Sequence, residues 1–124
     1  MHKIKNAHLI ISIIVLLPVA LCYGISPGSI LPLWFDFKVE TVDLHQVFRA
    51  IMGLYLGNII IWGAGILYPA YWKMATVMNV VFMSGLAFGR LISLLIDGLP
   101  STVWQVGFLM EVGLAIWGIV NLKK

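Results

Sequence analysis

Long apolar segments separated by short polar breaks dominate the chain. They run from about Asn6 to Tyr23, from Leu44 to Leu67, from Trp72 to Ile96 and from Thr102 to Leu122. A bilayer core about 30 Å thick needs roughly 20 apolar residues per helix, and each segment meets that length. The pattern predicts an all-α protein, an integral membrane four-helix bundle. The breaks suit helix ends: Gly24-Ile25-Ser26-Pro27-Gly28-Ser29 after the first, Tyr68-Pro69-Ala70-Tyr71 after the second, and Asp97-Gly98-Leu99-Pro100-Ser101 after the third. Ser101 is the expected N-cap of the fourth helix. Two short turns predict antiparallel neighbours. Pro18 removes a backbone donor inside the first helix and is expected to kink it.

The first loop, Gly24 to Asp43, is longer and mixed. Ile30-Leu31-Pro32-Leu33-Trp34-Phe35 is too short to span, and Asp36, Lys38, Glu40 and Asp43 follow it. An interfacial or re-entrant segment is expected here, with Trp34 and Phe35 at headgroup level. A lid over the bundle is the functional alternative.

Composition strengthens the membrane reading. Of 124 residues, 61% are hydrophobic and 10% charged, and mean hydropathy is +1.02. Soluble domains carry about 25% charged residues, and so short a chain could not hide this much apolar surface in a core. The length suits a single transmembrane domain, residues 1–124. The N-terminus imitates a signal peptide, but Val19-Ala20-Leu21-Cys22-Tyr23 fits an A-x-A-like cleavage site poorly, so retention as a first helix is expected. Cys22 is a lone cysteine, without a disulfide partner.

The net charge of +3 serves topology. The basic residues form no run with interleaved aromatics, so no nucleic-acid partner is expected. Lys3, Lys5, Lys73, Lys123 and Lys124 gather on one side, while Lys38 lies with Asp36, Glu40, Asp43 and Asp97 on the other. The positive-inside rule then places both termini in the cytoplasm.

Arg49, Arg90 and Glu111 lie inside the apolar segments. A charge at such depth costs a few kcal/mol and normally faces a partner or a water-filled cavity. At 1.5 Å per residue they lie roughly 7, 10 and 14 Å from the outer ends of their helices, so one layer could hold all three. Glycines share their faces: Gly53 and Gly57 with Arg49, Gly85 and Gly89 beside Arg90, and Gly107 with Glu111. These are the expected helix-packing positions, since small residues let backbones approach. In helix three, Asn79, Met83, Leu86, Arg90 and Asp97 form one stripe. In helix four, Gly107, Glu111, Ala115 and Gly118 form another, with Trp104 above. The expected binding set is Arg49, Arg90, Glu111, Asp97, Tyr55 and Gln105. His45 and Asp43 are further polar groups within its reach.

Asn58 and Asn79 are expected to hydrogen-bond between helices. His2, His8 and His45 are scattered, and the methionines lack the pairing of a copper site, so no metal site is expected. No phosphate loop, nucleophile elbow or paired carboxylates point to catalysis.

Phe48-Arg49-Ala50-Ile51-Met52-Gly53-Leu54-Tyr55, then Gly85-Leu86-Ala87-Phe88-Gly89-Arg90-Leu91-Ile92-Ser93, and Asp97-Gly98-Leu99-Pro100 resemble a family of small bacterial membrane proteins, domain of unknown function 4345. The resemblance covers nearly the whole chain, including the Gly24–Pro27 loop and Glu111. It implies a four-helix bacterial membrane protein without an established activity, and with both termini in the cytoplasm the bacterial inner membrane is the expected location. It supplies no catalytic role and no cofactor.

Three functions are then expected to compete. The outer-half polar set binds an anionic or polar-headed lipophilic molecule, such as a lipid or a quinone. Alternatively, it only locks helix packing in an accessory subunit of a larger membrane complex. Alternatively, the chain is a small transporter built as a homo-oligomer, since four helices enclose little. An enzyme is the least supported class.

Overall fold

The computed structural model describes residues 5–35, 37–100 and 102–123. The expected cap at Ser101 and the charges of Lys3, Asp36 and Lys124 lie outside the described residues. The chain forms helices α1 (Ala7–Gly24), α2 (Pro27–Trp34), α3 (Val42–Leu67), α4 (Trp72–Asp97) and α5 (Thr102–Lys123), with a 3-10 turn, Pro69–Tyr71, before α4. Among the described residues there is no strand. The four longer helices are each long and apolar enough to cross a membrane.

Local chemistry sets the ends. Thr41 caps α3, its Oγ1 accepting from the Leu44 amide at 3.1 Å. Gly98 ends α4 at φ 97°, a left-handed conformation that glycine adopts without a Cβ penalty. Pro18 does not break α1, which runs through it as one element. The first loop folds into the short helix α2, anchored by the buried Pro27 and Leu31.

Packing follows seven-residue steps. On α3, Phe48, Tyr55 and Trp62 turn inward, with Tyr55 and Trp62 fully or nearly fully buried. Seven residues are nearly two turns, so the three aromatics stack along one seam. On α4 the inward residues are Thr76, Asn79, Met83, Leu86 and Arg90, and on α5 Glu111, Leu114, Ala115 and Gly118. Helix α1 packs mainly on α3, α3 on α4, and α4 on α5, whereas α1 and α5 make little direct contact.

The glycines that permit close approach are not the expected ones. A Cβ at Gly53, Gly57, Gly85 or Gly89 would meet nothing within 4 Å. Gly53 and Gly57 lie on an open face because the aromatic seam, not the arginine face, turns α3 toward its neighbours, and Gly85 and Gly89 on α4 border a cavity. Close approach occurs instead at Gly24 against Met52, Gly65 against Ala75, and Gly118 against Val80. Gly107 has its own role, with Arg90 Cζ 3.8 Å from where its Cβ would stand.

At the end holding both termini, α1 is tied across to α4 and α5 by a buried polar network. His8 Nε2 lies 3.0 Å from Thr76 Oγ1, and Asn121 Nδ2 lies 2.8 Å from His8 Nδ1. With Asn121 donating, the imidazole proton sits on Nε2 and is given to Thr76. Ser12 Oγ donates to the His8 carbonyl at 2.7 Å and accepts from Asn79 Nδ2 at 3.0 Å. Asn79 thus bonds between helices, as expected. Asn58 does not: its Nδ2 bonds back to the Leu54 carbonyl of its own helix. Trp72 covers the network, its Nε1 donating to the Lys5 carbonyl at 3.2 Å.

Candidate functional site

Helix α4 carries Arg90 and helix α5 carries Glu111, and both point into the space between α1 and α5. Arg90 Nε donates to Glu111 Oε1 at 2.7 Å, and Nη2 donates to Oε2 at 3.0 Å. This is a two-pronged guanidinium–carboxylate pair, which the planar fork of arginine favours. The Glu111 side chain is 5% exposed and that of Arg90 19%. The guanidinium also lies over the Trp104 ring, with Cζ 4.7 Å from its centroid. Arg90 is therefore held in its plane by Glu111 and against its face by Trp104.

Aromatic side chains enclose the pair toward the end of the molecule opposite the termini. Phe35 stacks on Trp104 with centroids 4.4 Å apart, and Tyr23 stands 6.3 Å from it. The Tyr23 and Tyr55 rings meet edge-on at 5.7 Å. Both tyrosines line the same cleft as Arg90 and Glu111.

The pair is not sealed. It faces a cleft of about 270 Å³ whose walls are Val15, Leu16 and Val19 of α1 and Val106, Met110 and Leu114 of α5. Tyr55 and Met83 form its floor, and Trp34 and Phe35 stand at one end. The weak contact between α1 and α5 leaves this gap open at mid-height, and the His8 network closes it toward the termini. Two further cavities share Arg90 and Trp104. One, of about 390 Å³, lies along Phe48, Gly85 and Gly89, and the other, of about 220 Å³, lies against Ser93, Pro100 and Gln105.

The structure brings together Arg90, Glu111 and Tyr55 of the sequence-derived set. Arg49 is exposed and lines none of these three cavities. One residue turns a helix by 100°, so Phe48 facing inward carries Arg49 out of the site. Asp97 is exposed and accepts from Ser93 Oγ at 2.9 Å, while Asp43 is exposed. Gln105 Nε2 donates to the Pro100 carbonyl at 2.9 Å and reaches only the smallest of the three cavities. His45 bonds the Thr41 carbonyl at 2.8 Å.

Tyr23 is the principal residue that sequence reasoning did not place in the set. It ends an apolar run, so its position in the sequence marks a helix end and not a buried site. His8 is not isolated either: His8 and Ser12 at i and i+4, with Thr76, Asn79 and Asn121 in other spans, are a visible signal of a second buried polar layer.

Over residues 4–122 the chain matches the family described as Domain of unknown function (DUF4345), and it belongs to that family. No curated protein and no solved structure matches it. The family's description assigns no reaction or ligand, and this member of it carries four long apolar helices.

Proposed function

We propose that the chain is a single membrane domain whose four long helices cross a bacterial cytoplasmic membrane as an antiparallel bundle, both termini inside. Within it, the cleft between α1 and α5 binds a lipid-like or quinone-like molecule, its polar head at Arg90 and Glu111. The membrane reading draws support from the surface. Ile14, Ile60, Val81, Phe88 and Leu109 are all exposed at mid-helix. A continuous apolar exterior of this kind suits lipid and not water. Among the described residues, Lys5, Lys73 and Lys123 lie toward one end and Lys38 alone of the lysines toward the other, the asymmetry that the positive-inside rule associates with that orientation.

One observation carries the binding reading: the Arg90–Glu111 pair opens on an apolar cleft. An ion pair that served only packing would be closed over by side chains, because unfilled space costs stability. Ligand sites are concave and mostly apolar with a few convergent polar groups, which describes this cleft. Its volume suits a head group, with the tail leaving between α1 and α5 into lipid.

Native mass spectrometry of protein extracted in mild detergent tests this. A stoichiometric lipophilic adduct, lost in Arg90→Ala, is the expected outcome. A bare mass from several gentle extractions would remove the binding reading and favour a structural role. For topology, a cysteine at the exposed Leu99, with Cys22 replaced by alanine, is expected to label from outside intact cells.

A second reading, a small transporter acting as an oligomer, has its own support. The three cavities at Arg90 and Trp104 lie against one shared partition, and its displacement would join them. Flux in proteoliposomes that Glu111→Gln abolishes, with the fold intact, is its test.

A further inference from the structure

We infer that the head group this cleft selects is uncharged and hydrogen-bond accepting, a quinone-type carbonyl, and that Glu111 excludes anionic lipids by neutralising Arg90. The inference rests on the binding reading above and specifies its ligand.

Charge comes first. Both carboxylate oxygens of Glu111 are engaged by Arg90, at 2.7 and 3.0 Å, so the pair presents no net charge. An anionic head would have to compete with Glu111 for the guanidinium while lying beside a carboxylate. A zwitterionic head would bring two full charges into walls of valine, leucine and methionine. Neither finds an unpaired counter-charge here, since Arg49 lies outside the cleft. Depth points the same way. Arg90 is seven residues from the end of α4, roughly 10 Å along the helix, and a charged head pulled to that depth loses its hydration. A neutral head already dwells in hydrocarbon.

Hydrogen bonding fixes the polarity. A guanidinium has five N–H donors, two of which go to Glu111, leaving three. Among the described residues, the buried side-chain polar atoms without a partner are Trp62 Nε1 and Asn79 Oδ1. Arg90 Nη1 has no partner and is not among them, so it keeps accessible surface where Arg90 lines the cavities. Tyr23 and Tyr55 line the same cleft and add hydroxyl donors to it. Glu111 keeps spare lone pairs, but its side chain is 5% exposed and offers little to a ligand. What the cleft presents is chiefly donors, and they suit a carbonyl.

The test is native mass spectrometry with a decyl-tailed benzoquinone and dioleoyl phosphatidylglycerol at equal concentration, on wild type and Glu111→Gln. The wild type is expected to hold the quinone in preference to phosphatidylglycerol. Glu111→Gln leaves Arg90 unpaired and is expected to shift the ratio toward phosphatidylglycerol by at least about tenfold, a modest demand on a charge partly withdrawn from water. If Glu111→Gln does not elute as folded protein, Tyr23→Phe and Tyr55→Phe replace it. Each removes a donor at nearly constant volume and should weaken quinone binding several-fold while leaving any phosphatidylglycerol signal unchanged. Wild type that holds phosphatidylglycerol as well as or better than the quinone overturns the inference and leaves the binding reading standing. A Glu111→Gln ratio that does not move, or tyrosine variants that bind quinone as wild type does, also overturns it. Wild type that holds neither probe and copurifies with no lipophile overturns both.

Discussion

Arg90 and Glu111, 21 residues apart in sequence, meet edge to edge, with Nε–Oε1 at 2.7 Å and Nη2–Oε2 at 3.0 Å. The pair joins α4 to α5 at the point where α5 parts from α1. It both fastens two helices and furnishes the polar element of the cleft.

Breaking the pair from one side is expected to be expensive. Arg90→Ala strands a carboxylate in a buried site, at a cost of about 3 kcal/mol or more. The double variant Arg90→Met with Glu111→Leu removes both charges and should recover most of that loss. Thermal unfolding in detergent measures both. Arg90→Lys should fall between, because an ammonium cannot reproduce the two parallel bonds. A double variant no more stable than Arg90→Ala would contradict the desolvation argument.

Arg49→Ala is expected to behave differently, despite the similar position of Arg49 within its apolar segment. Its side chain is exposed and outside the cleft, so the change in stability should stay within about 0.5 kcal/mol. A loss as large as that of Arg90→Ala would place Arg49 in the same network after all.

Glycine substitutions separate close helix contacts from open faces. Gly118→Ala would bring a Cβ to 2.5 Å from Val80 Cγ2, pressing α5 off α4, and should cost about 1–3 kcal/mol. Gly53→Ala meets nothing within 4 Å, and it should be neutral or stabilising by up to about 1 kcal/mol through helix propensity. Melting temperatures of the two variants should therefore move in opposite directions or differ clearly. A destabilised Gly53→Ala would instead point to a contact with a second copy.

Asn79→Leu is expected to be neutral to modestly stabilising. It removes an interhelical bond to Ser12, of about 0.6 kcal/mol in membrane proteins. It also removes Asn79 Oδ1, a buried acceptor without a partner, whose burial costs about 1–3 kcal/mol. Ser12 keeps its bond to the His8 carbonyl. His8→Ala is expected to be clearly destabilising, since it deprives both Thr76 and Asn121 of their partner and opens a cavity beneath Trp72. Comparing the two unfolding curves tests whether the network is anchored at His8.

Much of this was legible in the chain because it is local. A run of apolar residues closed by Gly-x-Pro or Tyr-Pro-Ala-Tyr fixes where a helix of spanning length begins and ends. On α4 and α5 the polar residues themselves mark the inward stripe, since Asn79 and Arg90 or Glu111 and Gly118 recur at steps close to whole turns. On α3 the same logic chose the wrong face. Arg49, Gly53 and Gly57 line up as cleanly as Phe48, Tyr55 and Trp62, and periodicity cannot say which line turns inward. The glycines misled for a related reason: a small residue permits close approach but does not cause it, and only the neighbour's position shows whether the approach occurs, as at Gly118 against Val80.

The sequence by itself determined the four long apolar helices, their breaks, and the cost of placing Arg90 and Glu111 within them, because length and hydrophobicity are properties of each segment alone. The tertiary structure decided which charges meet, that Tyr23 joins them, and that α1 stands away from α5 beside the pair. Those facts depend on how each helix is rotated about its axis and how closely it is approached. Both are set by the sum of contacts with other helices, above all the aromatic seam of α3 and the His8 network.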